Sequence, residues 1–191
     1  MLIIARHGNT FDPDEEPRRV GGRTDISLSE SGRTQGVKLG EGLRAEGLQP
    51  DVIYTSSLKR TQETGTLAFP NAALNIAEFL QEIDYGDDED KPESIVVARI
   101  GEKALKDWEE HNIVPQGWVV DKEAIIAGWR KLAEGAKGKN ILAVTSNGIA
   151  RFAPDALGVA MEVSTKIKTG AYCVFTFEGG AWICKVWNKR P

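Results

Sequence analysis

Four segments of the chain put chemically competent side chains directly behind apolar runs. Arg6-His7-Gly8 follows Leu2-Ile3-Ile4-Ala5, and Ser57-Leu58-Lys59-Arg60-Thr61 follows Asp51-Val52-Ile53-Tyr54-Thr55. Gln81-Glu82-Ile83-Asp84-Tyr85-Gly86 comes after a short apolar stretch near Leu74–Ile76, and Thr145-Ser146-Asn147-Gly148 follows Ile141-Leu142-Ala143-Val144. Short apolar runs read as buried strands, and open α/β sheets carry their chemistry at the carboxyl ends of strands. If the strands are neighbours, two guanidiniums, one imidazole and one carboxylate meet in one pocket. Phosphoryl transfer needs that inventory: cations for the equatorial oxygens, an in-line nucleophile, and an acid for the leaving oxygen. Arginine suits the clamp because its planar fork engages two oxygens together. The bland alternative is that Arg6 and His7 cap a strand and that Arg23 and Arg60 are solvated.

The elements that must position these groups are legible along the chain. Strand 1 covers about Leu2 to Ala5, and a polar loop runs from Asn9 to about Ser29. Ser29 reads as the N-cap of a helix reaching Glu46, where Gly47 stops it. Gly32, Gly36 and Gly40 recur every fourth residue, a row that costs propensity and suits close packing on the sheet. Two helices are expected near Pro92 to His111 and Asp121 to Ala136, separated by Asn112–Trp118. A Ser146-Asn147-Gly148 turn precedes another helix, and a hairpin pairs Ala171–Phe177 with Ala181–Trp187 around Gly179-Gly180. Strands alternating with helices give the fold class: an α/β three-layer sandwich, its central sheet mostly parallel, with a C-terminal hairpin. The chain reads as a single domain, 1–191, with a helical insertion at about 91–136.

Composition narrows the function classes. The chain has 191 residues and a net charge of −4, with no basic tract, which argues against nucleic acid as a partner. No apolar run reaches the roughly 20 residues of a membrane span, and Arg6 interrupts the only N-terminal apolar run, so no membrane partner and a cytoplasmic location are expected. Cys173 and Cys184 fall in the hairpin, where Cys173 should face Val186 and Cys184 should face Phe175. That diagonal placement favours two reduced thiols over a disulfide.

At these residues the chain resembles the histidine phosphatase superfamily, the phosphoglycerate mutase-like family. The match runs through Arg6-His7-Gly8-Asn9-Thr10, Gly22–Gly32, Tyr54–Thr64 and Leu80–Gly86, four motifs in the family's order over roughly the first half of the chain. The resemblance implies that His7 attacks phosphorus and carries a phosphohistidine, its imidazole kept neutral by adjacent cations. It implies that Arg6 and Arg60 clamp the phosphoryl oxygens, and that Glu82 protonates the leaving alcohol and later takes a proton from water. Arg23 would reach the phosphate or another anionic part of the substrate. Asn9 stands where many relatives carry glutamate or glutamine, so its substrate contact is left open.

The last segment departs from the family. Where relatives present a second histidine followed by glycine, alignment on the strand and on Arg151 puts Ser146. Its neutral hydroxyl is a shorter and weaker donor, and losing one such donor costs about 10²–10³ in rate if nothing compensates. Asn147 and the amides of Gly148 and Ile149 are the candidates to supply the missing donors. Trp108, Trp118 and Trp129 either wall the pocket or pack helices together, and His111 reads as a surface or helix-terminal residue.

The leading expectation is a metal-independent, cofactor-free phosphatase acting on a small phosphorylated metabolite through phosphohistidine. The alternatives are a mutase-type phosphotransferase, a phosphatase of phosphohistidine or of a protein, and a non-catalytic phosphate-binding protein silenced at Ser146. Substrate choice would lie in residues 87–118. The terminal hairpin offers a sheet edge for a homodimer.

Overall fold

The computed structural model describes residues 1–191. Six strands form one sheet: β1 (Leu2–Arg6), β2 (Val52–Thr55), β3 (Leu74–Ile76), β4 (Ile141–Thr145), β5 (Tyr172–Glu178) and β6 (Ala181–Lys189), in the order β3-β2-β4-β1-β5-β6. The pairs β1–β4, β2–β4 and β2–β3 are parallel, while β1–β5 and β5–β6 are antiparallel. The sheet is therefore parallel on one side of β1 and antiparallel on the other.

Seven helices cover it: α1 (Glu30–Ala45), α2 (Lys59–Ala68), α3 (Glu93–Ile100), α4 (Glu102–His111), α5 (Lys122–Gly135), α6 (Asn147–Ala150) and α7 (Ala153–Leu157). Alternation along the strands divides the core between two faces. Ile3, Ala5, Leu142 and Val144 pack with Leu39 and Leu43 of α1 and Ala68 of α2. Leu2, Ile4, Ile141 and Ala143 pack with Ile125, Trp129 and Leu132 of α5 and with Phe152, Ala156 and Leu157. Three layers result, with both faces of β1 and β4 buried, as parallel strands require.

Several expectations are refined by local physics. The helix expected over Pro92–His111 is two helices, because Gly101 sits at φ +81°, where an L side chain would be strained. Ser146-Asn147-Gly148 is not a separate turn: Ser146 is the N-cap and Asn147 already opens α6. Ser29 caps α1 by accepting from Gly32 N at 3.3 Å. The glycine row of α1 does not face the sheet. A Cβ at Gly32 would overlap the Asn9 backbone and one at Gly40 the Ala68 backbone, so the row admits the nucleophile loop and α2. In the hairpin Cys184 pairs with Phe175, but a bulge near Cys173 moves Val186 opposite Val174 instead. Both cysteines are free thiols, and burial raises Cys173 to about 12.

Candidate active site

The register of the two central strands brings the first and last motifs together. Arg6 is the parallel partner of Thr145, and His7 N donates to Thr145 O at 3.0 Å, so His7 and Ser146 leave the sheet side by side. Thr145 Oγ1 donates to Leu80 O at 2.6 Å. That bond ties the 3-10 turn Glu78–Leu80 to the end of β4 and delivers Glu82 to the same edge. α2, entered from β2, carries Arg60 beneath the loop after β1.

His7 is buried, and its Nδ1 lies 2.7 Å from Gly8 O. A carbonyl only accepts, so Nδ1 carries the hydrogen and Nε2 keeps its lone pair. Burial holds the imidazole well below its usual pKa, and the charges of Arg60 and Arg6 act in the same direction. Gly8 is fixed from below, its N–H donating to Thr64 Oγ1 at 3.1 Å.

Arg60 is fully buried. Nη1 donates to Thr24 O at 2.8 Å and Nη2 to Gly21 O at 3.0 Å, while Nε has no partner. Arg6 donates through Nη1 to Ile167 O at 2.7 Å, and its Nε is likewise unpartnered. Neither side chain has a carboxylate within ion-pair distance. Burial pulls both guanidiniums below their ordinary pKa, with the charge of Glu82 opposing that shift.

Glu82 is buried within a ring of donors. Oε1 accepts from Ile83 N at 3.0 Å, and Oε2 accepts from Gly148 N at 3.2 Å and Tyr85 OH at 3.3 Å. The amide of Gly148 is thus spent on Glu82, and Ile149 N donates to Ser146 O, so neither stands in for the family's second histidine. The reason is geometric: α6 is one turn long, its Gly148 amide faces the carboxylate, and the next two amides turn back to Ser146 O. Ser146 Oγ is buried without a partner and does not reach the pocket surface.

A cavity of about 390 Å³ opens over this edge, lined by Arg6, His7, Asn9, Glu82 and Asn147 among the candidate residues. The Asn9 side chain bonds Ser31 and Thr169, and Asn147 Oδ1 accepts from Ile167 N at 2.8 Å, so both are held as parts of the wall. Arg60, Ser146 and Gly148 lie behind that wall. Arg23 is not brought in: its side chain is 59% exposed, pairs with Asp84 at 2.9 Å and donates to Gly86 O. The structure adds cavity residues not singled out from sequence: Arg18, Arg19, Tyr85, Lys166 and Arg151. Of the three tryptophans only Trp108 lines the cavity; Trp118 packs edge-on to Tyr85, and Trp129 is buried with Nε1 on Ile149 O. His111 ends α4 at the surface.

The arrangement presents an unprotonated imidazole nitrogen, the Arg6 guanidinium and a carboxylate to one polar cavity, with the Arg60 guanidinium buried behind its wall. Comparison with known proteins places the chain in a family. A model of the histidine phosphatase superfamily (branch 1) matches residues 2–190. Phosphoglycerate mutase 1 of Saccharomyces cerevisiae is 29% identical over 119 residues, 60% of this chain and 47% of that protein. The 2,3-bisphosphoglycerate-dependent phosphoglycerate mutase of Mycobacterium leprae is 34% identical over 113 residues, 56% of this chain and 44% of that protein. The chain spans about half the length of these curated relatives. The solved mycobacterial glucosyl-3-phosphoglycerate phosphatase superposes with a TM-score of 0.80 at 21% identity, covering 100% of this chain and 99% of that one; at such identity the likeness establishes the phosphoglycerate mutase-like fold. No helix is long and apolar enough to cross a membrane. The chain belongs to branch 1 of the histidine phosphatase superfamily.

Proposed function

We propose that this protein hydrolyses a small phosphomonoester through a phosphohistidine on His7. The observation that carries the reading is the state of His7: its hydrogen is committed to Gly8 O, and burial with two cations holds it neutral. A neutral Nε2 beside free guanidinium donors is a nucleophile waiting for phosphorus.

In the first step Nε2 forms a bond to phosphorus as the bond to the leaving oxygen breaks, and Glu82 gives that oxygen its proton. The imidazole ring becomes positive, and its Nδ1–H strengthens its bond to Gly8 O. Arg6 and Arg60 take up the charge of the equatorial oxygens. In the second step water attacks phosphorus, Glu82 receives its proton, and the N–P bond breaks. Inorganic phosphate leaves, His7 returns neutral and Glu82 is protonated for the next cycle. Atoms and charge balance with water as the sole co-reactant.

The test is hydrolysis of p-nitrophenyl phosphate with EDTA present, wild type against His7→Ala. Turnover that survives the chelator and is lost in the variant supports the reading; equal negligible rates against a panel of phosphomonoesters refute it. The relatives named phosphoglycerate mutase favour a second reading, return of the phosphoryl group to another hydroxyl. Phosphorylation of an added alcohol at the expense of free phosphate distinguishes it.

A further inference from the structure

Antiparallel pairing with β5 lays the end of β6 beside Ser164–Thr169, the loop that precedes β5 and supplies Lys166 and Thr169 to the cavity. Trp187 Nε1 donates to Ser164 O at 3.2 Å and Arg190 Nε to Thr169 O at 3.2 Å. Between them Asn188 makes two bonds: its Oδ1 accepts from Lys168 N at 2.8 Å, and its Nδ2 donates to Lys166 O at 3.2 Å. One side-chain amide therefore brackets Ile167 on both sides, in the place a neighbouring strand's peptide would take.

The contacts alternate as those of a strand do. Lys166 O and Lys168 N turn to Asn188, while the N–H and C=O of Ile167 turn the other way, into the site. Ile167 N donates to Asn147 Oδ1 at 2.8 Å, and Ile167 O accepts from Arg6 Nη1 at 2.7 Å. That is the one hydrogen bond of the Arg6 side chain, whose Nε is unpartnered, so the carbonyl of Ile167 sets where the guanidinium points. The backbone of β6 is bent to make this contact. Trp187 and Asn188 together stand opposite Cys173 in the bulge, Asn188 N donates to Cys173 Sγ at 3.3 Å, and Asn188 sits at φ +54°. Bulges re-aim side chains, and asparagine tolerates this left-handed region while offering both a donor and an acceptor.

We infer that Asn188 is a positioning residue: through the carbonyl of Ile167 it aims the Arg6 guanidinium at the phosphoryl oxygens. The inference rests on the reading of Arg6 as the clamp of a phosphomonoesterase. It adds a determinant on the edge strand of the sheet, at a residue that does not itself line the cavity. Without the Asn188 amide the loop stays tied at its two ends by Trp187 and Arg190, while the peptide groups of Ile167 are free to turn.

The test is a double-mutant cycle of Asn188→Gly and Arg6→Ala, read by calorimetric titration with orthovanadate as the probe oxyanion. Glycine adopts the φ of +54° without strain, so this variant removes the amide and leaves the hairpin folded, which a thermal melt checks. Asn188→Gly is expected to weaken orthovanadate binding about tenfold in the wild-type background and less than about twofold in Arg6→Ala. Asn188→Asp keeps the acceptor for Lys168 N and loses the donor to Lys166 O. It should fall between, and it carries the cycle if the glycine variant unfolds. A structural role alone weakens binding by the same factor in both backgrounds, which overturns the inference. Unchanged affinity in Asn188→Gly overturns it too, as does a wild-type protein that binds no orthovanadate. Turnover of p-nitrophenyl phosphate is scored separately, and its kcat/KM supplies the same cycle where Arg6→Ala binds too weakly to titrate. Coupled affinities without hydrolysis uphold the inference and refute the phosphatase reading; additive affinities with hydrolysis do the reverse.

Discussion

Gly148→Ala should disable the acid without unfolding the protein. A Cβ built on Gly148 falls on Glu82 Oε1 and comes within 3.1 Å of both Glu82 Cδ and Ile83 Cγ1. The carboxylate must retreat by roughly 1 Å to regain ordinary contact, and it leaves the 3.2 Å bond from Gly148 N as it goes. The obstacle is the end of a side chain, so the strain moves Glu82 rather than the backbone. At Gly22 the same substitution would meet the carbonyl of Glu82, and at Gly8 the backbone of Gly32; those variants should fail to fold. A displacement of about 1 Å at a reacting group costs on the order of 10² in rate, inside the roughly 10²–10⁴ that general acid catalysis contributes. The expected loss in kcat is therefore about 10² on glycerol 2-phosphate, whose alkoxide cannot leave unprotonated. On p-nitrophenyl phosphate it should be under about tenfold, because that phenolate leaves without an acid. Steady-state kinetics on both substrates read the effect, with a thermal melt to confirm the fold. A folded variant within about threefold of wild type on glycerol 2-phosphate, or one equally impaired on both substrates, would refute the placement of Glu82 as acid.

Four more outcomes follow from the geometry. His7 titrates well below its usual pKa, so kcat/KM should show no protonation loss near pH 6.5; a limb centred there would contradict the buried cationic setting. The same depression means the unfolded chain takes the proton first, so stability falls as pH drops below about 6.5, and His7→Ala should lessen that fall in melts across pH 4–7. Arg60→Ala removes two hydrogen bonds, leaving Thr24 O unpaired at about 1–3 kcal/mol and Gly21 O with only the 3.4 Å bond from Thr24 N, so it should lower Tm by more than Arg6→Ala, which frees only Ile167 O. Ser146→Ala removes a buried hydroxyl without a partner, and should leave Tm unchanged or raised and activity within about tenfold; a hundredfold loss would show that Oγ reaches the phosphoryl group.

Much of this architecture is legible from residue order. Leu2–Ala5 and Ile141–Val144 are apolar at every position because both faces of a central parallel strand are buried, and Ser29 and Gly47 bracket α1 by their capping chemistry. The convergence of His7 and Glu82 is readable because each follows an apolar run. What escaped the sequence depends on pairings distant along the chain. Arg23 looks like a phosphate ligand by its place in a motif, yet Asp84, 61 residues away, holds it outside the cavity. The amide of Gly148 reads as a free donor until Glu82 is placed against it. Arg151 sits one helical turn past Ser146 in an apolar stretch, and nothing local says that its Nε and Nη2 go unpartnered. An exposed-looking arginine becomes a wall of the site only when α4 brings Trp108 over it.

The central claim is that His7 Nε2 carries the phosphoryl group between the two steps. Rapid quenching of the wild-type protein with a labelled phosphomonoester in its first turnovers tests it directly. The account expects an acid-labile, alkali-stable phosphoenzyme that maps to His7 at Nε2, disappears as phosphate is released, and is absent from His7→Ala. Turnover with no phosphoenzyme at any time, or a label on another residue, would contradict it.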